Sequence, residues 1–276
     1  VTPDSLLLLT AFERAIGQMS VQAVREALDW WQGLSRRSSA PDVWAQNSRG
    51  LWRDGALVGV TFYRLLRALE TGRTVPSTVG WHENAHVTLG TLIDEFEDAT
   101  GVDLHLTAAR GRQVRCESTG VAESAAVLRA RDFAIARSMM DKRVRQAEDR
   151  GKWSEGDGSW MSQAAQMIAV NGARSMVESM GGSDRRRMGW VRVSGSGKPC
   201  AFCAMLLSRG AVYESKATAQ TVGGYHPGCK CYAVPMFRAE ELSGDKFRLN
   251  RQFESEWVTG MNLSQWRSFY WKKYRR

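Results

Sequence analysis

"KPCAFCAML" at 198–206 and "YHPGCKCYAVP" at 225–235 together hold four of the chain's five cysteines and one of its four histidines. Cys200 and Cys203 form a C-x2-C hook, a spacing that lets two thiolates reach one tetrahedral ion, at about 2.3 Å, from a tight turn. His226, Cys229 and Cys231 answer it with an H-x2-C-x-C run, so five candidate ligands face a four-coordinate ion and one is spare. If a strand at "CYAVP" extends back to Cys229, side chains two apart share a face, and Cys229 and Cys231 project together. His226 would then stand behind the ligands or substitute for one of them. Five ligands this close predict a closed, structural zinc site that staples a module too small to be held by its own core.

The surrounding chain supports a metal over a disulfide. "LLLL" at 6–9 is followed by Glu13 and Arg14, and no apolar run approaches the roughly 20 residues of a membrane span, so the sequence reads as cytosolic at synthesis. In a reducing compartment clustered cysteines are metal ligands more often than disulfides, and Cys116 stands apart as an odd fifth. With 276 residues, 43% of them hydrophobic, the chain can bury a substantial core. Its net charge of +9 is unevenly placed: residues 1–182 hold 21 Lys/Arg against 22 Asp/Glu, and residues 183–276 hold 17 against 7. A basic final third favours an acidic partner without choosing its class.

Hydrophobic period predicts helices over most of the remainder. Phe12, Ile16, Met19, Ala23, Ala27, Trp30 and Leu34 fall three or four apart, and "SRRSSAPD" interrupts them. A second stripe runs through Leu51, Val58, Phe62, Leu65 and Leu69 to Gly72, a suitable C-cap. A third helix is expected from Ser77 to Ala99, short strands at "VDLHLTA" and "QVRCES", and a solvated helix from Val121 to Arg150. "GKWSEGDGS" at 151–159 reads as a connection to a helix over Trp160–Met180, and "GGSDRRR" as a boundary. Beyond it come a strand at "WVRVSGSG", a short helix at "AFCAMLLSR", strands at "AVY" and "CYAVP", and helix again from Arg238. In "WRSFYWKKYRR" the aromatics are expected to dock on the domain as the inner face of an amphipathic helix. The predicted fold is therefore mainly α: a helical domain at 1–182, a small zinc-stapled α+β module at 183–237, and a basic, aromatic helical tail at 238–276.

The module resembles a known family. Cys200, Cys203, Gly210, His226, Cys229, Cys231 and Pro235 reproduce, in order, the hook, short helix, glycine turn, H-x2-C-x-C return and strand-then-proline of the C-terminal domain of MuF-like minor capsid proteins. These are also called head morphogenesis proteins of tailed bacteriophages, and the likeness covers about 188–237. The helical first part is similar to actinobacterial-phage relatives in general character only. The resemblance implies a non-enzymatic virion protein, present in few copies inside the head near the portal after assembly in the host cytoplasm. Its implied partners are the portal or major capsid protein, and its implied role lies in procapsid assembly and DNA packaging or delivery. The basic C-terminal region suits packaged DNA, which phosphate contacts can hold without reading sequence.

A rival motif lies at "WHENAH". His82, Glu83 and His86 spell H-E-x-x-H, which on a helix lets two imidazoles share a zinc while the glutamate acts as general base. That reading would make the chain a capsid maturation metalloprotease. It lacks a downstream third ligand at the usual spacing, and solvated helix residues are its simpler explanation. "GSGK" at 195–198 has Pro199 where a phosphate-binding loop needs Ser or Thr, and "PCAFC" has no H-x-E before it to make a deaminase.

Overall fold

A computed structural model describes residues 1–34, 40–76, 86–118, 125–152, 154–210, 225, 228–238 and 245–274. In chain order its elements are α1 (Pro3–Leu34), α2 (Ala40–Thr71), β1 (Arg73–Thr74), β2 (His86–Thr88), α3 (Leu89–Thr100), β3 (Gln113–Cys116), α4 (Ala125–Asp149) and α5 (Glu155–Ser183). There follow β4 (Gly189–Ser194), α6 (Ala201–Leu207), β5 (Cys231–Met236), a 3-10 turn at Asp245–Phe247, α7 (Arg248–Glu256) and α8 (Leu263–Tyr274). The chain is thus predominantly helical, with a small mixed region and a helical tail, as the sequence leads one to expect.

Helices α1, α2 and α5 pack together, with α4 laid against α2 and α5. Glycine permits the closest of these contacts: a Cβ at Gly55 or Gly59 of α2 would overlap the carbonyl oxygens of Ala169 or Ala173 on α5, and one at Gly172 would overlap that of Trp52. Small residues let the two backbones meet without an intervening side-chain layer. Phe12 of α1 stacks on Phe62 of α2 at 3.9 Å between ring centres and meets the edge of Tyr232 on β5 at 5.2 Å. The buried core therefore continues from the helices into the C-terminal strands, across the boundary expected near residue 182.

Two small sheets flank this core. β3 lies between β1, which it pairs in parallel, and β2, which it pairs antiparallel; β4 and β5 form an antiparallel pair with Trp190 opposite Pro235 and Ser194 opposite Cys231. Between the sheets runs a buried polar seam. Asp184 accepts from the Tyr63 hydroxyl at 2.6 Å and from Arg67 Nε at 2.6 Å, while Arg67 Nη2 reaches Glu117 at 3.0 Å.

Several expected boundaries move, each for a local reason. The helix expected over 77–99 begins, among the described residues, only at Leu89: Thr88 caps it by accepting from Thr91 N–H at 3.1 Å, and 86–88 pair with β3 instead. "VDLHLTA" is not a strand, because side chains bind its backbone: Glu97 takes the Leu104 N–H at 2.6 Å and Asp4 takes those of Thr107 and Ala108 at 2.8 Å. The supposed connection at 151–159 is half helix. Asp157 accepts from the Ser154 N–H and hydroxyl, both at 2.9 Å, which fixes the start of α5 at Glu155. Gly158 there reflects close packing against the Trp31 indole, not a break. The strand expected at "AVY" lies outside the described residues.

Candidate metal centre

The centre forms where β4, α6 and the start of β5 converge. After Ser194 the chain turns through Gly195, whose N–H donates to the Lys230 carbonyl at 2.9 Å. Any Cβ at Gly195 would press on that oxygen, so this glycine holds the two cysteine-bearing segments together. Cys200 then caps α6, its Sγ accepting from the Cys203 N–H at 3.4 Å. Gly228, at φ +76°, turns the returning chain into Cys229 and β5.

The result brings Cys203, Cys229 and Cys231 together, all buried, with their Sγ atoms within 4.8 Å of one another. Cys203 and Cys229 are 3.7 Å apart at sulfur. A tetrahedral ion with bonds of about 2.3 Å sets its sulfurs about 3.8 Å apart, so this pair already has the spacing that zinc requires. The trio can coordinate a metal. Cys200 lies beside Cys203 but outside the trio, and His226 lies outside the described residues. The shared face expected for Cys229 and Cys231 arises although β5 itself begins at Cys231.

Proton sharing within the cluster is uneven. The Cys229 thiol is held far below its ordinary range, first by hydrogen bonding from Cys203 and Cys231 and then, against burial, by the Arg174 and Arg192 guanidiniums. The Cys203 thiol is pushed up, first by its hydrogen bond with Cys200 and then by those with Cys229 and Cys231.

Two arginines missed by sequence reading complete the surroundings. Arg174 of α5 donates to the Cys229 carbonyl at 2.5 Å, and Arg192 of β4 has Nη2 4.0 Å from Cys229 Sγ. Both guanidiniums lie over the Tyr225 ring, at 3.9 and 4.1 Å from its centre, and the Tyr225 hydroxyl donates to Glu178 at 2.9 Å. Arg192 was detectable as the one charge in an otherwise apolar strand; Arg174 carried no comparable signal. From below, Asn250 of α7 donates to the carbonyls of Arg192 and Leu207 at 2.8 and 3.1 Å. On the outer side, Trp266 and Tyr270 of α8 donate to the carbonyls of Ala201 and Pro199, on either side of Cys200. Trp266 and Tyr270 of the tail are thus docked, as expected, while Trp271 stays exposed.

The rival motif gains no comparable geometry. His86 opens strand β2 opposite Arg115, not a helix, and His82 and Glu83 lie outside the described residues. Among the described residues the cysteine trio is the group placed to hold a metal. No helix among them is long and apolar enough to cross a membrane.

Comparison with known proteins adds one relationship. No curated protein and no solved structure matches the chain. A family model described as "VG15 protein" matches residues 111–255, more than half of the chain, taking in α5, the arginine pair and all four clustered cysteines. On that match the chain belongs to the VG15 protein family.

Proposed function

We propose that this chain is a structural protein of a phage head, of the MuF-like minor capsid type, whose C-terminal module is closed by one structural zinc ion. The observation that carries the reading is the convergence of Cys203, Cys229 and Cys231 at the base of the β4–β5 pair, in the order of hook, helix, return and strand on which the resemblance rests. Cys200, already bonded to the Cys203 N–H, supplies the fourth thiolate, leaving His226 as the spare ligand. Zinc bound there would tie α6 to β5. The chain's own residues hold the ligands: Gly195 closes the two segments, and Trp266 and Tyr270 fix the carbonyls around Cys200. A closed set of thiolates suits scaffolding rather than catalysis.

In this reading the helical part meets the portal or major capsid protein and the basic C-terminal face meets packaged DNA. A groove of about 710 Å³ favours the second contact: Lys198, Lys230 and Arg248 line it together with the four clustered cysteines, beside the 40% exposed Trp271. Phosphate contacts with an aromatic for stacking are what sequence-independent binding needs.

Two measurements test the proposal. Metal analysis of protein purified without chelator should find one zinc per chain, lost in Cys203→Ser, and kept in His226→Ala. Mass spectrometry of purified virions from a phage encoding this sequence should find the protein in few copies. A metal-free wild type removes the staple, and virions lacking the protein remove the capsid role.

A further inference from the structure

Arg174 and Arg192 are 2% and 1% exposed, and no carboxylate among the described residues forms an ion pair with either. Arg174 Nε and Arg192 Nε and Nη1 are buried without a hydrogen-bond partner. Bonds from Arg174 to the Cys229 carbonyl and to Asn171 Oδ1 at 3.2 Å, with the Tyr225 ring against both guanidiniums, return only part of the hydration that burial removes. What both face, from opposite elements of the fold, is Cys229: one through its carbonyl, the other through its sulfur.

The same thiols pose the converse problem. Three or four thiolates around one divalent cation leave a centre with a net charge of −1 or −2, carried by cysteines, three of them buried, that also line the groove of Lys198, Lys230 and Arg248. The nearby Glu178 carboxylate, which accepts from Tyr225, adds a further negative charge. Such an anion needs fixed positive charge close by, and two guanidiniums held over one tyrosine ring supply it. Each set of charges thus removes the cost of the other.

We propose that Arg174 and Arg192 are the positioning counter-charges of the metal centre, so that metal loading is coupled to the seating of α5 on the β4–β5 pair. The inference rests on the metal-site reading above and extends it to residues that do not touch the ion. Arg192 belongs to the strand pair itself, whereas Arg174 projects from the helix that packs against α1 and α2. Formation of the centre therefore draws the helical part and the cysteine module into one folded unit.

The test uses the full chain. Zinc affinity is measured by competition with a chromophoric chelator for wild type, Arg174→Met, Arg192→Met, Arg174→Lys, Arg192→Lys and Cys203→Ser. Outer partners of metal ligands typically contribute roughly 10- to 100-fold in affinity, and each Met variant should lose zinc by that factor. The Lys variants, which keep the charge, should recover most of it. Hydrogen exchange supplies a readout that a merely structural role would leave unmoved: chelation should open the α5 amides around Arg174 in wild type, and in Arg174→Met they should be open with or without zinc. Folded Met variants with wild-type affinity overturn the proposal while leaving the zinc site standing. If the Met variants fail to fold, folded Lys variants that bind no better than Cys203→Ser overturn it instead. A wild type that binds no zinc at all defeats the underlying metal reading, a separate result.

Discussion

Arg67 on α2 and Asp184 just beyond α5 meet at 2.6 Å with side chains 2% and 1% exposed, across 117 residues of sequence. Both are further satisfied: Asp184 by the Tyr63 hydroxyl, Arg67 by Glu117 and by the Thr74 carbonyl at 3.1 Å. Removing one partner of such a pair strands a buried charge, at a cost of about 3–5 kcal/mol. Arg67→Met should therefore lower the unfolding free energy by that amount in urea titrations. A loss below about 1 kcal/mol would show that the seam is hydrated and contributes little.

Glu117 gives the same seam a pH dependence. Hydrogen bonds from Arg186, and then from Arg67 and Arg73, overcome burial and pull its carboxyl down to about 2 from 4.5. A carboxyl whose folded value is depressed stabilises the fold fully above its unfolded value and loses that contribution as pH falls towards the folded one. Unfolding free energy should thus decline between about pH 4.5 and 2, and the decline should be shallower in Glu117→Gln. Both proteins are to be compared in chelator, so that acid release of metal does not enter. Parallel curves for the two would refute the assignment.

The α2–α5 contact predicts opposite outcomes for two glycines. At Gly172 a methyl group would meet the Trp52 backbone, so Gly172→Ala should cost about 1–3 kcal/mol as the helices move apart. Gly17, in the middle of α1, has open space around the same position. Gly17→Ala should therefore raise stability by about 0.5–1 kcal/mol through helix propensity alone. Thermal melts of the two variants should shift in opposite directions; equal shifts would mean that helix spacing is not set by glycine.

Helix α8 lies beyond the matched family region yet holds the loop around Cys200. Trp266→Phe keeps most of the buried ring and removes the hydrogen bond to the Ala201 carbonyl, which should cost about 1 kcal/mol. Cys200 should at the same time react faster with a thiol reagent in the metal-free protein, because its loop is no longer clamped. Unchanged Cys200 labelling would make α8 a cover and not a clamp.

The sequence carried the cysteine module well because its information is local. A hook, a short apolar helix and an alternating strand can each be read within ten residues, and β4, α6 and β5 fall where they were expected. What it could not carry was the partner of each element. Asp157 starts α5 by capping, and Asp4 draws 107–108 out of a strand from a hundred residues away, neither of which leaves a periodic signal. Arg174 belongs to the same class. In sequence it is one more basic residue on a helix, and its meaning depends on the turn before β5, 55 residues later, presenting the Cys229 carbonyl to it.

The contact between Phe12 and Tyr232 bears on how the chain comes to be folded in a cell. The two rings are separated by 220 positions, so at ribosomal speeds of about 5–20 residues per second the first aromatic waits on the order of 10–40 s for its neighbour to emerge. During that interval the apolar face of α1 has Phe62 for company but no strand to close over it. The nascent protein is therefore exposed to chaperones and to aggregation until its last third has been translated, and slower synthesis would prolong the danger instead of easing it.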